Sequence, residues 1–153
     1  MVVKPAAVFG SGTWAVTELR LKKQCTWERK ILWRMYGPVV EQGIWRIRSN
    51  GELVALYEDL DIAADIKKKI LEWTGYVVRN DHRRTGKKIF ESKPEGSRRR
   101  ERHRLWWLED VEKDLRQMKV NWWRQKAGDR EEWASVIKEA KAVRGPYSQG
   151  VRK

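Results

Sequence analysis

One repeat of apolar residues limits the possible folds of this chain more than any other feature. Its members recur at intervals of four, four, three and four residues: Ile62, Ile66, Ile70, Trp73 and Val77. This spacing places all five side chains on one face of an α-helix. Asp61 stands just before the repeat, where a side-chain oxygen can cap the first turn. Such a helix must bury its apolar face against other elements, so the repeat predicts a helical core.

Five further helices are predicted from weaker patterns and from start signals. They are expected to begin at Thr17, at Ser49, near Leu108, after Asn121 as a short helix, and at Asp129. Gly37-Pro38 should end the first of them, and Gly145-Pro146 the last. The first helix is expected to bury one face with Leu21, Cys25, Leu32 and Met35 and an adjoining face with Trp27, Ile31 and Met35.

Residues 44–57 admit two interpretations. Asn50-Gly51 between apolar runs is a strong hairpin signal. Ser49 followed three residues later by Glu52 is a capping box, after which Leu53 and Leu56 share a helical face. The capping box favours a helix, with residues 45–48 extended before it.

The chain is therefore predicted to be mainly α, a small helical bundle with a helix-turn-helix-like pair and a basic linker. The boundaries are expected to be a truncated N-terminal remnant at 1–14, a helical lobe at 15–79, the linker at 80–104, a second helical lobe at 105–145 and a tail at 146–153. Gly10-Ser-Gly-Thr in the remnant lacks the Lys of a phosphate-binding loop and is predicted to be a flexible turn.

Composition limits the environment of the chain. Its single cysteine excludes an intramolecular disulfide, and no apolar run approaches the roughly 20 residues that span a bilayer. The first twelve residues do not resemble a signal peptide. We expect an intracellular protein, in the nucleus or the cytoplasm with the nucleus slightly favoured, and with no membrane partner.

Positive charge indicates the class of partner. The chain carries 34 Lys and Arg against 21 Asp and Glu, and residues 79–104 alone hold eleven basic residues against four acids. Such a density favours RNA or DNA bound largely without regard to sequence. The residues expected to contact phosphate are Lys67, Lys68, Lys69, Arg79, Arg83, Arg84, Lys87, Lys88, Arg98, Arg99, Arg100, Arg102 and Arg104.

Two adjacent tryptophan pairs suggest base stacking as well. Neighbouring helical residues point about 100° apart, so both members of Trp106-Trp107 or of Trp122-Trp123 rarely bury in one seam. Trp106 and Trp122 are the candidates for stacking on an unpaired base.

The residues that could support catalysis are sparse. His82 and His103 lie among like charges, Cys25 lies in an apolar stripe, and Asp61 is better explained as a helix cap. We expect no enzyme activity, no metal, no cofactor and no small-molecule substrate.

Short motifs along nearly the whole chain resemble the C-terminal part of non-LTR retrotransposon reverse transcriptases of the insect type. They are Gly10-Ser-Gly-Thr-Trp14, Glu28-Arg-Lys-Ile-Leu32, Tyr36-Gly-Pro38, Trp45-Arg-Ile-Arg48, Glu52-Leu53, Leu56-Tyr57, Trp73-Thr-Gly-Tyr-Val77 with Arg79, Lys93-Pro-Glu-Gly96, and Asp129-Arg130 with Trp133.

The resemblance implies a thumb and post-polymerase segment that grips nucleic acid. The catalytic palm and the endonuclease of that family have no counterpart in this sequence. Tyr76 and Arg99 stand where the family usually has His and Pro. These departures keep open the alternative of a non-functional or protein-interaction helical remnant of a decayed element.

Overall fold

The computed structural model describes residues 3–57, 61–92 and 107–142. The described elements are α1 (Val3–Ala7), a 3-10 turn (Ser11–Thr13), α2 (Glu18–Tyr36), β1 (Val39–Glu41), β2 (Ile44–Arg46), α3 (Asn50–Tyr57), α4 (Ile62–Val78), α5 (Thr85–Glu91), α6 (Trp107–Gln117), α7 (Trp123–Gly128) and α8 (Arg130–Ala142). The prediction of a mainly α protein is confirmed.

Helix α4 is the centre of the fold, as its apolar repeat predicts. Its N-terminal half packs with α2 and the N-terminal residues in a cluster of Val8, Leu21, Cys25, Ile62, Ala63 and Ile66. Its C-terminal half contributes Leu71 to a second cluster with Val111, Leu115, Val120, Ala127, Trp133 and Val136. Ile70 packs against both clusters. The helices of both predicted lobes therefore lie against the same helix.

Three predicted helix starts are confirmed by their capping bonds. Thr17 Oγ1 accepts from Arg20 N at 3.2 Å, and Asp61 Oδ1 accepts from Ala63 N at 2.7 Å. Asp129 Oδ1 accepts from Glu131 N at 2.7 Å. The fourth prediction, Asn121 as the cap of a short helix, is wrong. Trp122 occupies the N-cap of α7 in a left-handed conformation and makes no side-chain capping bond.

Of the two interpretations of residues 44–57, the helix is the one that forms. Ser49 N donates to Glu52 Oε2 at 2.6 Å and Glu52 N donates to Ser49 Oγ at 3.3 Å, so both halves of the capping box form. A hairpin does exist, but earlier in the chain, where β1 pairs antiparallel with β2. Its turn residues Gln42 and Gly43 both have positive φ, 53° and 80°, as a two-residue hairpin turn requires.

The prediction of a flexible turn at Gly10-Ser-Gly-Thr is also wrong. Ser11 is fully buried, and a Cβ on Gly12 would lie 2.9 Å from the Cβ of Trp73 on α4. Trp107 Nε1 donates to the Gly12 carbonyl at 3.2 Å. Only a residue without a side chain fits this contact, so the turn is held by close packing against α4.

The N-terminal part of the predicted linker contains helix α5. Phe90 on this helix meets the ring of Trp107 edge-on at 5.8 Å, whereas Ile89 is 69% exposed. The rest of that linker, from residue 93, lies outside the described residues.

Candidate nucleic-acid interface

The three consecutive lysines of α4 do not form an open cationic patch. Lys67 Nζ lies 2.8 Å from Asp114 Oδ1 on α6, and Lys68 Nζ lies 3.4 Å from Glu72 Oε1 one turn along α4. Each pair neutralises one charge locally. Lys69 is half-buried and makes no ion pair within the described part of the chain.

Arg79 and Lys87 both connect elements of the fold. Arg79 Nη1 donates to the Ala127 carbonyl at 2.8 Å and so joins the end of α4 to α7. Lys87 is buried, and its Nζ donates to the Val78 carbonyl at 2.7 Å and lies 3.4 Å from Glu91. Burial of a lysine requires such partners. Lys87 thus holds α5 against the end of α4, and its ammonium group is not available to phosphate.

Three of the predicted residues remain fully available at α5. Arg83, Arg84 and Lys88, here called the α5 triad, are exposed and have no side-chain partner within the described residues. The triad is separated along the chain by only a few residues from the predicted contacts Arg98, Arg99, Arg100, Arg102 and Arg104. Those five arginines lie outside the described residues.

The two candidate stacking residues have different outcomes. Trp122 is 80% exposed, whereas its neighbour Trp123 packs partly against the core with the Arg124 guanidinium 4.6 Å from its ring centroid. The left-handed conformation of Trp122 turns it away from that seam. Trp106 lies outside the described residues, while Trp107 packs edge-on to Trp73 at 5.0 Å.

A row of exposed residues on α2 was not predicted as a site. Its members recur at intervals of three and four: Arg20, Lys23, Trp27, Lys30 and Arg34, here called the α2 stripe. The spacing of Trp27 in the sequence predicts a buried adjoining face for it, but this residue is 38% exposed. The signal for this row in the sequence is the 3-4-3-4 spacing that also marks an apolar helix face, here carried by charged residues around Trp27.

The positive charge is unevenly distributed along the chain. Residues 3–57 hold nine basic and four acidic side chains, whereas residues 107–142 hold eight of each. Helices α6 to α8 are therefore electrically balanced. The excess lies in the N-terminal part, in the segment of α4 and α5, in the basic run that follows, and in residues 143–153, which hold three basic residues and no acid.

A cleft beside α2 is unsuited to phosphate. It measures about 620 Å³ and lies between the start of α2 and helices α4 and α6, with mainly apolar walls such as Trp14 and Ile66. Its charged lining consists of the acids Glu18, Asp110 and Asp114 and of Lys67 and Lys113, and each lysine is paired with one of these acids. Burial, with Asp114 nearby, raises the pKa of Asp110. An anion entering this cleft would meet three carboxylates and two lysines that are already paired with acids, so the cleft is not part of the candidate interface.

The described residues offer little catalytic chemistry. Cys25 is buried, its thiol lies 3.3 Å from Asp61 Oδ1, and burial together with that carboxylate raises the pKa of the thiol to about 12. A thiol held in its neutral form is a poor nucleophile. No group of three or more His, Cys, Asp or Glu within residues 3–57, 61–92 and 107–142 could hold a metal ion. In the same residues no helix has the length and apolarity to cross a bilayer.

Comparison with known proteins adds no relative. No family profile, no curated protein and no solved structure matches the chain.

Proposed function

We propose that this chain binds RNA or DNA with little regard to sequence. The observation that carries the proposal is the α5 triad, three exposed cations without acidic partners in the described part of the chain. Arg83 and Arg84 immediately precede α5 and Lys88 lies on it. Unpaired cations held this close in the chain repel one another unless a polyanion is present. The triad precedes a further run of arginines, so the sequence extends the same charge beyond the helix.

Fewer residues are available to contact phosphate than the sequence predicted. Lys67, Lys68 and Lys87 each have a partner inside the fold, and Arg79 shares its guanidinium with a backbone carbonyl. A guanidinium has five N–H donors, so Arg79 retains the capacity to bind phosphate as well. The α5 triad, Lys69 and the arginines from Arg98 to Arg104 carry the proposed binding.

The origin that fits this activity is the C-terminal segment of a non-LTR retrotransposon reverse transcriptase, without palm or endonuclease. Support comes from the ordered motifs and from two contacts that join three of them. Gly12 of the first motif packs on Trp73 of another, and Gly75 packs on Trp133 of a third. These contacts place the three motifs in one folded unit, as a single inherited domain requires. An intracellular and preferably nuclear location belongs to the same proposal.

The experiment is a salt titration of binding to a labelled oligonucleotide, followed by fluorescence anisotropy. If six to ten phosphates are contacted, affinity should fall roughly 10³- to 10⁵-fold between 50 and 200 mM salt. A shallow salt dependence would contradict the proposal.

Matched variants locate the surface. Changing all three residues of the α5 triad to Gln lowers the net charge by three and should reduce the slope of log K against log salt by about 2 to 3. The control changes three exposed cations of the balanced helices α6 and α8 to Gln: Arg116, Arg130 and Lys138. Equal losses from both variants would mean that only net charge matters, which contradicts a defined surface.

A protein-interaction remnant is the second candidate, and one observation favours it. Ile44, Trp45 and Ile47 around β2 are 70%, 70% and 74% exposed. Apolar side chains clustered in this way often mark a protein contact. A chain that shows no salt-dependent binding to nucleic acid, but whose self-association is abolished by Trp45→Ser, would support this candidate.

A further inference from the structure

We infer that helix α2 is a second contact surface, specific for unpaired nucleic acid, in which Trp27 stacks on a base between flanking cations. This inference rests on the proposed function and names the form of nucleic acid that this surface takes. It uses the α2 stripe, none of whose residues was among the predicted contacts.

The stripe has the dimensions of a strand-binding surface. Arg20 and Arg34 are fourteen positions apart, so at 1.5 Å per residue the row is about 21 Å long. Phosphates of one duplex strand follow one another every 3.4 Å along the axis, and this length corresponds to about six of them. An extended single strand would place fewer phosphates over the same length, closer to the four cations available.

No acid on α2 neutralises this row. The helix has two acidic residues, Glu18 and Glu28. Glu18 lies 3.7 Å from Lys113 Nζ, and Glu28 is buried, where its Oε2 accepts from Ile62 N at 3.0 Å. The four cations of the stripe have no side-chain partner in the described residues. Their charge is therefore presented outward along the whole helix.

Trp27 gives the stripe its preference for unpaired bases. It lies four residues after Lys23 and three before Lys30, so a cation stands about one turn away on each side. Its ring is 38% exposed and takes part in no hydrogen bond or ring contact among the described residues. An aromatic ring inside a basic row stacks on any base that offers an open face. Bases within a duplex are already stacked, so this contact selects single strands.

The buried face of α2 argues against a membrane as the occupant. A helix that lies in a membrane interface inserts an exposed apolar face. On α2 that face consists of Leu21, Cys25 and Leu32, which are 7%, 4% and 3% exposed within the core. The other exposed large apolar residues of α2 are Leu19 and Met35, which lie at its two ends and are 63% and 55% exposed. Between them the exposed side of the helix offers the cationic row with the Trp27 ring rather than a continuous apolar face, and this arrangement suits a polyanion with flat bases.

The test compares a labelled oligonucleotide of about 20 nucleotides, longer than the site of a typical single-strand-binding fold, with its duplex. Trp27→Leu removes the ring and should weaken single-strand binding at least about 5-fold, with a clearly smaller effect on the duplex. Trp27→Phe keeps a ring and should recover most of that loss. Far-UV circular dichroism checks that both variants fold.

A charge variant tests the flanking cations. Lys23, Lys30 and Arg34 changed together to Gln should lower the single-strand salt slope by about 2, since each lost contact contributes about 0.7. The triple variant of α6 and α8 described above removes the same charge and should leave the slope nearly unchanged.

The outcomes separate the two proposals. If the wild-type chain binds neither the single strand nor the duplex, both proposals are wrong. If only the α5 variant loses binding and the stripe variants behave like the α6 and α8 control, the α2 stripe is not a contact surface. The general proposal of nucleic-acid binding is unaffected by that result. Equal effects of Trp27→Leu on single strand and duplex overturn the stacking. The protein could also float with vesicles of phosphatidylcholine and phosphatidylserine, lose this flotation in the stripe variants, and bind no oligonucleotide. That result would overturn the assignment to nucleic acid.

Discussion

Adding one methyl group at Gly75 should destabilise the protein, although alanine is the better helix former. Gly75 lies buried in the last turn of α4, where a Cβ would stand 2.3 Å from both Cδ1 and Nε1 of Trp133. The Trp133 side chain is 1% exposed, and its Nε1 donates to the Leu71 carbonyl at 2.9 Å. The indole cannot move away from the methyl group without disturbing the core around it.

The magnitude follows from three opposing effects. Alanine in place of glycine in a helix interior gains about 1 kcal/mol. Overpacking a closed core costs about 1–3 kcal/mol. Displacing the indole leaves its buried N–H without a partner, which costs about 1–3 kcal/mol. Gly75→Ala should therefore lower the free energy of unfolding by about 1–5 kcal/mol.

Urea unfolding followed by far-UV circular dichroism measures this change. Gly86→Ala is the matched control, because nothing lies within 4 Å of a Cβ at that position on α5. It should be neutral or stabilising by up to about 1 kcal/mol. In a double-mutant cycle, Trp133→Leu should cost less stability in the Gly75→Ala protein than in the wild type, because the two positions share one space. A Gly75→Ala protein as stable as the Gly86→Ala control would refute this account of the core.

The sequence predicted the helical elements well wherever local signals act alone. The caps at Thr17, Asp61 and Asp129 are contacts within three residues, so their side chains are sufficient to place a helix start. Asn121 fails as a cap because Trp123 packs against the core and fixes the backbone before it. A cap preference of about 1 kcal/mol does not outweigh the burial of an indole.

Long-range contacts were the part that the sequence could not supply. Gly12 and Trp107 are 95 residues apart, and nothing local distinguishes a packed glycine from one in a flexible turn. The same limit applies to the candidate interface. In the sequence, nothing distinguishes Lys67 and Lys87 from Arg83 and Lys88. Of these four side chains, however, only Lys67 and Lys87 have partners in the described part of the folded chain, and those partners come from other parts of the fold. Charge density predicts a binding surface, whereas tertiary partners decide which cations belong to it.

Three further predictions concern titration and chemistry. Hydrogen bonds from Arg46 and Ser49 lower the pKa of Glu52 from 4.5 to about 2, so its contribution to stability is complete above about pH 4.5 and is lost as the pH falls toward 2. Acid unfolding of a Glu52→Gln variant should lack that component. The Cys25 thiol, whose pKa is about 12, should react with Ellman's reagent at neutral pH far more slowly in the native protein than in denaturant; equal rates would contradict its burial. Finally, the isolated chain should neither extend a primer nor nick a plasmid in Mg²⁺ or Mn²⁺. Two-metal chemistry needs carboxylates converging on ions about 4 Å apart, but Asp61 Oδ1 accepts hydrogen bonds from Ala63 N and from the Cys25 thiol at the start of α4. Asp59, the nearest other aspartate in the sequence, lies outside the described residues. Activity that copurifies with the chain and disappears when both aspartates are changed to Asn would show that they form a catalytic site, whereas activity that survives those changes identifies a contaminant.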